Sequence, residues 1–248
     1  MIEEGYVEGR NPVIEAIRGG REIDKILIAK GSEQGSINKI IGMAKDKKIV
    51  IQYVEKAKLD SMSETKAHQG VIALVTPYSY VEVDDIIKAA EDKNEDPFII
   101  ILDEIEDPHN LGAIIRTAEC GGAHGVIIPK RRAVGLTPVV IKSSAGAVEH
   151  MNIAKVSNIA STIEELKKRG IWIYGADMEG KHDYFQKDLT GPIAIVIGSE
   201  GKGIGRLIKE KCDFLVKIPM KGKVSSLNAS VAASVMMYEV LRQRSIRE

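Results

Sequence analysis

The sequence predicts an α/β protein: a mostly parallel sheet covered by helices, preceded by a small α/β unit. Three observations predict it. Ile- and Val-rich runs recur at 98–102, 125–129, 171–176, 193–197 and 214–218, and they are continuous rather than alternating, as strands buried on both faces require. Helical periodicity fills the intervals between them. An acidic stretch, 78–96, carries seven Asp and Glu against two Lys, and Pro97 closes it. Its composition reads as a linker between a domain over 1–77 and another over 97–248.

Taken in order, Asn11-Pro12 opens a helix through Ala16-Ile17, which Gly19-Gly20 ends by supplying a positive φ. Strands at 25–29, 49–53 and 71–75 and a helix at 36–45 complete the small unit. His68-Gln69-Gly70, before its last strand, is either a solvated turn or an RNA-facing tip. A short helix over 81–90 is compatible with the acidic stretch. After strand 98–102, a helix over 111–120 starts behind Pro108 and Asn110 and stops at Gly121-Gly122. Strand 125–129, helix 138–147, a short strand at 153–156 and helix 162–168 follow. Strands 171–176 and 193–197, helix 204–211 and strand 214–218 lead to a closing helix over 227–244. Ser225 or Ser226 is placed to cap that helix, with Val231, Val235, Met236 and Leu241 on its apolar face.

Composition narrows the function classes. The 248 residues are 44% hydrophobic and 28% charged, with a formal net charge of zero, so any polyanion-binding surface is local. No run reaches the roughly 18 apolar residues of a membrane helix, and 1–20 lacks the apolar core of a signal peptide. Cys120 and Cys212 lie far apart with no metal-ligand spacing. The expectation is a cytoplasmic protein with reduced thiols and no metal.

Three polar segments follow strand ends. Asn110-Leu111-Gly112 continues to Arg116, Gly198-Ser199-Glu200-Gly201-Lys202-Gly203 follows a buried strand, and Ser225-Ser226-Leu227-Asn228 precedes the closing helix. The second segment lacks the Gly-Lys-Ser/Thr ending of a phosphate-cradling loop and the third glycine of the dinucleotide fingerprint. A glycine-rich loop of this kind approaches an adenine or methionyl group through its backbone. Asn110 is expected at its helix's N-terminal cap, with Arg116 about 120° around the axis. In an open α/β sheet all three segments fall at the carboxyl ends of strands, where ligands collect. Singly, each has a plain alternative: Arg116 as a surface ion pair, Glu200 as a solvated charge, Asn228 as a capping amide.

Together the three segments resemble the motifs of the SpoU family of RNA ribose 2′-O-methyltransferases. The likeness is carried by Asp107-Pro108-His109-Asn110-Leu111-Gly112 with Arg116-Thr117-Ala118, by Ile197 to Gly203, and by Ile218-Pro219-Met220 with Ser225 to Ala232. Glu8-Gly9-Arg10-Asn11-Pro12-Val13 and His68-Gln69-Gly70-Val71 resemble the ribosomal-protein-like substrate-binding domain that precedes the catalytic domain in RlmB-type 23S rRNA guanosine 2′-O-methyltransferases. The resemblance implies a C-terminal trefoil knot, a homodimer with its site at the subunit interface, an RNA partner and S-adenosylmethionine as cofactor, held by Gly198, Ile218, Met220, Ser226 and Leu227. It implies Arg116 as the central catalytic residue; because a guanidinium is a poor proton acceptor, the expected role is gripping the target phosphate and steadying the incipient alkoxide, with phosphate or water taking the proton. Glu200 then orients Arg116 or a water, while Asn110, Ser226 and Asn228 hold the ribose and the methyl donor. Beside this site Lys130-Arg131-Arg132 is either solvated surface or an RNA-backbone contact. A tRNA ribose methyltransferase, a drug-resistance methyltransferase of the ribosome and a non-catalytic RNA-binding or ribosome-assembly module are the competing readings.

Overall fold

Residues 5–75 and 78–247 are described by the computed structural model, whose chain forms two units: Met1–Ser79 with Gly135–His150, and Tyr80–Val134 with Met151–Glu248. The elements run β1 (Gly5–Glu8), α1 (Arg10–Arg18), β2 (Ile23–Ala29), α2 (Ser36–Asp46), β3 (Val50–Val54), α3 (Lys56–Met62), β4 (Val71–Val75) and α4 (Val83–Asp92). They continue with β5 (Phe98–Leu102), α5 (Pro108–Cys120), β6 (Gly125–Pro129), α6 (Pro138–Ser143), β7 (Asn152–Val156), α7 (Ile159–Lys168) and β8 (Trp172–Ala176). The last are β9 (His182–Asp183), β10 (Ile193–Ile197), α8 (Arg206–Lys211), β11 (Phe214–Lys217) and α9 (Ala229–Arg247).

In the first unit the sheet order is β1-β4-β2-β3, with β4 antiparallel to both neighbours and β3 parallel to β2. Leu27, Leu59, Ile72 and Leu74 pack one side of it. Two elements escaped the periodicity: β1, only four residues long, and α3, which buries Leu59 alone. Neither is long enough to show a repeat. His68 is not the solvated side chain of a turn. It is 3% exposed, its Nδ1 accepts the Gly70 N–H at 3.0 Å, and Nε2 meets Asp60 Oδ1 at 2.9 Å.

Gly135–His150, expected in the C-terminal domain, belongs to this first unit. Arg21 and Glu149 form a 2.7 Å ion pair with both side chains under a tenth exposed, and a Cβ on Gly146 would stand 2.5 Å from that of Glu15. Helix α6 stops at Ser143 rather than at 147 because Ala145 and Gly146 take φ of 53° and 92°.

The second unit holds a sheet in the order β7-β6-β5-β10-β8-β11-β9, every neighbouring pair parallel. β5 and β10 are buried throughout, which explains their continuous apolar runs. Most of 78–96 is not linker. Its acidic residues give α4 a capping box, Glu82 with Asp85, while Ile86 and Ile87 join a core with Ile99, Ile101, Ile163 and Val196. The unit boundary falls inside the stretch, between Ser79 and Tyr80. Register aligns Leu102, Ile197 and Ala176, and Val216 pairs with Ala176. The carboxyl ends of β5, β8, β10 and β11 therefore open on one side.

Candidate active site

The loop after β10 folds back so closely that a Cβ on Gly198 would lie 2.1 Å from the Gly203 carbonyl carbon. Only glycine fits there. Gly201 and Gly203 complete the turn at φ of 81° and 67°, closed by the Gly203 N–H donating to Ser199 O at 2.9 Å. The turn is tied to the end of β5 by Asp103, buried at 6% exposure, whose Oδ2 accepts the Gly205 N–H at 2.7 Å. Burial pushes the Asp103 carboxyl up, against the lowering effect of that hydrogen bond.

Helix α5 is capped by Asp107, whose Oδ1 accepts the His109 N–H at 2.9 Å. Asn110 thus sits in the first turn rather than at the cap. Helix α9 is capped by Asn228: its Oδ1 accepts from Ser230 N at 3.0 Å, Val231 N at 3.3 Å and Ser230 Oγ at 2.6 Å. The cap is neither Ser225 nor Ser226, and the helix begins at Ala229 instead of 227.

These local choices bring three distant side chains together. Glu200 Oε1 accepts from Asn110 Nδ2 at 3.0 Å, from Asn228 Nδ2, and from the Ala229 N–H at 3.3 Å. Asn228 Nδ2 also donates to Asn110 Oδ1 at 2.9 Å. Asn228 serves both readings at once, capping α9 with its oxygen and holding Glu200 with its nitrogen. Glu200 therefore orients two asparagines and the start of α9, where the expected partner was Arg116 or a water.

A cavity of about 720 Å³ opens beside this cluster, within the usual range for small-molecule sites. Gly198, Ile218, Met220, Ser226 and Leu227 all line it, with Glu200 and Asn228. Its walls fit S-adenosylmethionine. Ile218, Met220 and Leu227 offer apolar surface to an adenine, and the glycine turn offers backbone. Lys209 is neutralised by Asp177 at 2.9 Å and Glu179 at 3.0 Å. Three carboxylates stand against two lysines around the cavity, a balance that suits a sulfonium better than a triphosphate.

Arg116 lies elsewhere in the single chain. It is exposed on α5, is not among the residues lining the cavity, and its side chain makes no hydrogen bond or ion pair among the described residues. Asp103, Asp177, Glu179 and Lys209 went unnoticed in the sequence. The available signal was position: Asp103 directly follows the buried strand β5, and Asp177 directly follows β8, buried at its centre. Among the described residues, no group of three or more His, Cys, Asp or Glu is arranged to hold a metal, and no helix is long and apolar enough to cross a membrane.

Known proteins resemble this chain in sequence and in fold. Residues 97–238 match the SpoU rRNA Methylase family, and residues 6–81 match a domain described as RNA 2′-O ribose methyltransferase substrate binding. The TrmH family protein YacO of Bacillus subtilis (strain 168) is 56% identical over 243 residues, spanning 98% of this chain and 97% of YacO. The SpoU methyltransferase AviRb of Streptomyces viridochromogenes, solved in complex with AdoMet, superposes with a TM-score of 0.82 at 28% identity, covering 98% of this chain and 91% of AviRb. A TrmH/SpoU tRNA modifying enzyme of A. aeolicus gives a TM-score of 0.56 at 27% identity, covering 65% of this chain and 85% of its own. With the match across more than half its length and a close relative over nearly all of it, the chain is a member of the SpoU family of RNA methyltransferases.

Proposed function

We propose that this protein transfers a methyl group from S-adenosylmethionine to the ribose 2′-hydroxyl of a guanosine in 23S rRNA, in the manner of RlmB-type enzymes. The reading is carried by the cluster of Glu200, Asn110 and Asn228 on the rim of a cavity lined by the glycine turn and the approach to α9. The methyl donor, when bound, supplies an electrophilic methyl on a positively charged sulfur. Gly198, Ile218, Met220, Ser226 and Leu227 hold it, and the acidic balance of the walls favours its charge. We take Asn110 and Asn228 as positioning residues for Glu200, and Ser226 as a hydroxyl facing the ribose or the donor.

A ribose hydroxyl is a weak nucleophile at neutral pH, so attack needs alignment and a proton acceptor. The guanidinium of Arg116 offers N–H donors and no acceptor. It grips the target phosphate bidentately and steadies the developing oxygen charge, with phosphate or water taking the proton. Its place outside the cavity of its own chain fits a homodimer in which each subunit lends Arg116 to the other's site. We also infer that the chain after β10 threads the trefoil knot of the family, that the ribosomal-protein-like first unit binds RNA, and that the enzyme works in the cytoplasm. The tRNA enzyme of A. aeolicus has no counterpart for about a third of this chain, which favours rRNA over tRNA.

The test is incubation with radiolabelled S-adenosylmethionine and unmodified total RNA, followed by mapping of alkali-resistant linkages. Label at one ribose of 23S rRNA is the expected result. Label on a base, or none on any RNA, contradicts the proposal.

A further inference from the structure

A second cavity, of about 220 Å³, adjoins the first and shares Ser199, Glu200, Lys202 and Ala229 with it. Its other polar walls include Glu104, Glu106, Asp107 and Asn110. Most of these groups are already spent. Asp107 caps α5, Asn110 and Glu200 hold each other, and Glu104 pairs with Arg132 at 3.0 Å. Two remain. Glu106 and Lys202 are exposed, and neither makes a hydrogen bond or ion pair among the described residues. Lys202 is held out at the tip of the turn between Gly201 and Gly203, on the border of both cavities.

We propose that this smaller cavity seats the target nucleoside, and that Glu106 selects guanine within it. The inference deepens the methyltransferase reading above and rests on it. A carboxylate accepts two parallel donors side by side. Of the four RNA bases only guanine carries two adjacent donors on its pairing edge, N1–H and the N2 amino group. Adenine and cytosine place an acceptor next to their amino group, and uracil flanks its single N–H with carbonyls; a carboxylate repels both arrangements. Recognition along the pairing edge requires an unpaired target nucleotide, as for other enzymes that read a base outside its stack. Lys202 supplies the complementary charge for the adjoining phosphate. The cavity thus divides its labour: Glu106 reads the base and Lys202 holds the backbone, with Glu200 on the border of the two cavities.

The experiment uses the full-length enzyme and transcripts spanning the mapped nucleotide, with that nucleotide either guanosine or inosine, which lacks only the N2 amino group. With wild type, inosine lowers kcat/KM by about tenfold or more, the loss expected for one hydrogen bond to a charged acceptor. With Glu106→Gln, kcat/KM on guanosine falls by a similar factor and the further loss on inosine shrinks to under about threefold. Lys202→Ala raises the RNA KM and reduces the salt slope of binding by about one, and Lys202→Arg restores both. The inference is overturned if wild type methylates both transcripts equally, if the inosine penalty survives in Glu106→Gln, or if the modified ribose belongs to another nucleoside. Absence of methyl transfer to any RNA overturns the proposed function itself, a result distinct from transfer without discrimination.

Discussion

Two carboxylates at loop junctions, Glu8 in the first unit and Glu200 in the second, solve nearly the same hydrogen-bonding problem with opposite consequences. Glu8 accepts from Ser63 Oγ at 2.6 Å, the Glu64 N–H at 2.8 Å and Thr65 Oγ1 at 2.7 Å, and is 1% exposed. Burial pushes its pKa up, but the hydrogen bonds from Ser63 and Thr65 outweigh it and hold the group below its ordinary value. Glu200 also takes three donors, yet it is exposed, and two of them are side-chain amides, Asn228 on the larger cavity and Asn110 on the smaller. A sealed set of donors can only stabilise a loop. An open set can be rearranged by a ligand. Hydrogen-bond count does not separate a clamp from a site; access does.

The largest expected effect concerns the group this contrast leaves out. Arg116→Ala lowers methyl transfer by about 1,000-fold while the Kd for S-adenosylmethionine stays within about threefold, as calorimetry and a labelled-methyl assay will read. Mixing that variant with Glu200→Ala restores about a quarter of wild-type activity when each site draws on two subunits; no recovery after subunit exchange would place Arg116 outside a shared site. Next, Glu200→Gln lowers kcat by roughly 100-fold through misplaced Asn110 and Asn228 with little change in urea midpoint. Glu8→Gln does the reverse: it costs about 1–3 kcal/mol of stability and leaves kcat near wild type. Should the two variants behave alike, the distinction between clamp and site is wrong.

Acid separates the two units more gently. His124 is buried, and its Nδ1 accepts the Phe98 N–H at 3.0 Å. Burial lowers its pKa, although its bond to Glu95 opposes this. A histidine kept neutral in the fold contributes its stability fully above about pH 6.5 and loses it as pH falls through the lowered value. The second unit should therefore begin to lose Tm below about pH 6.5. The contribution of Glu8 persists until pH drops below the ordinary glutamate range, near 4.3. Thermal scans of wild type and His124→Asn across pH 4–8 check the order; an unchanged acid profile in the variant contradicts it. The smallest effect belongs to Lys130 and Arg131, exposed and beyond the ion pair of Arg132 with Glu104. Replacing both with Ala weakens RNA binding and lowers its salt slope by about two. An unchanged slope makes them bystander surface.

How much was legible in advance follows from the same physics. Strands β5, β6 and β10 were read to the residue, because burial on both faces leaves an uninterrupted apolar run. Capping was legible in kind and only partly in place: Asp107 rather than Asn110 caps α5, and Asn228, read as one alternative, caps α9 rather than Ser225 or Ser226, since several neighbouring polar residues satisfy the same local rule. The short helix expected over 81–90 is there as α4, but the acidic composition of 78–96 hid its attachment to the core: the charges face solvent while Ile86 and Ile87 face inward. Glu200, Asn110 and Asn228 were identified through a family likeness; their mutual hydrogen bonds span separations of 28 to 118 residues and have no local signature. Asp103 and Asp177 reach the site through tertiary contacts with Gly205 and Lys209, which leave no local pattern to read.

A crystal structure of the enzyme with S-adenosylmethionine tests most directly that the glycine turn, the approach to α9 and the strand ends make one crevice for the methyl donor. Density for the whole molecule between Gly198, Ile218 and Leu227, its methyl directed toward the Glu200 cluster, is the predicted result. Density at any other place on the chain, with that cavity holding only water, contradicts it.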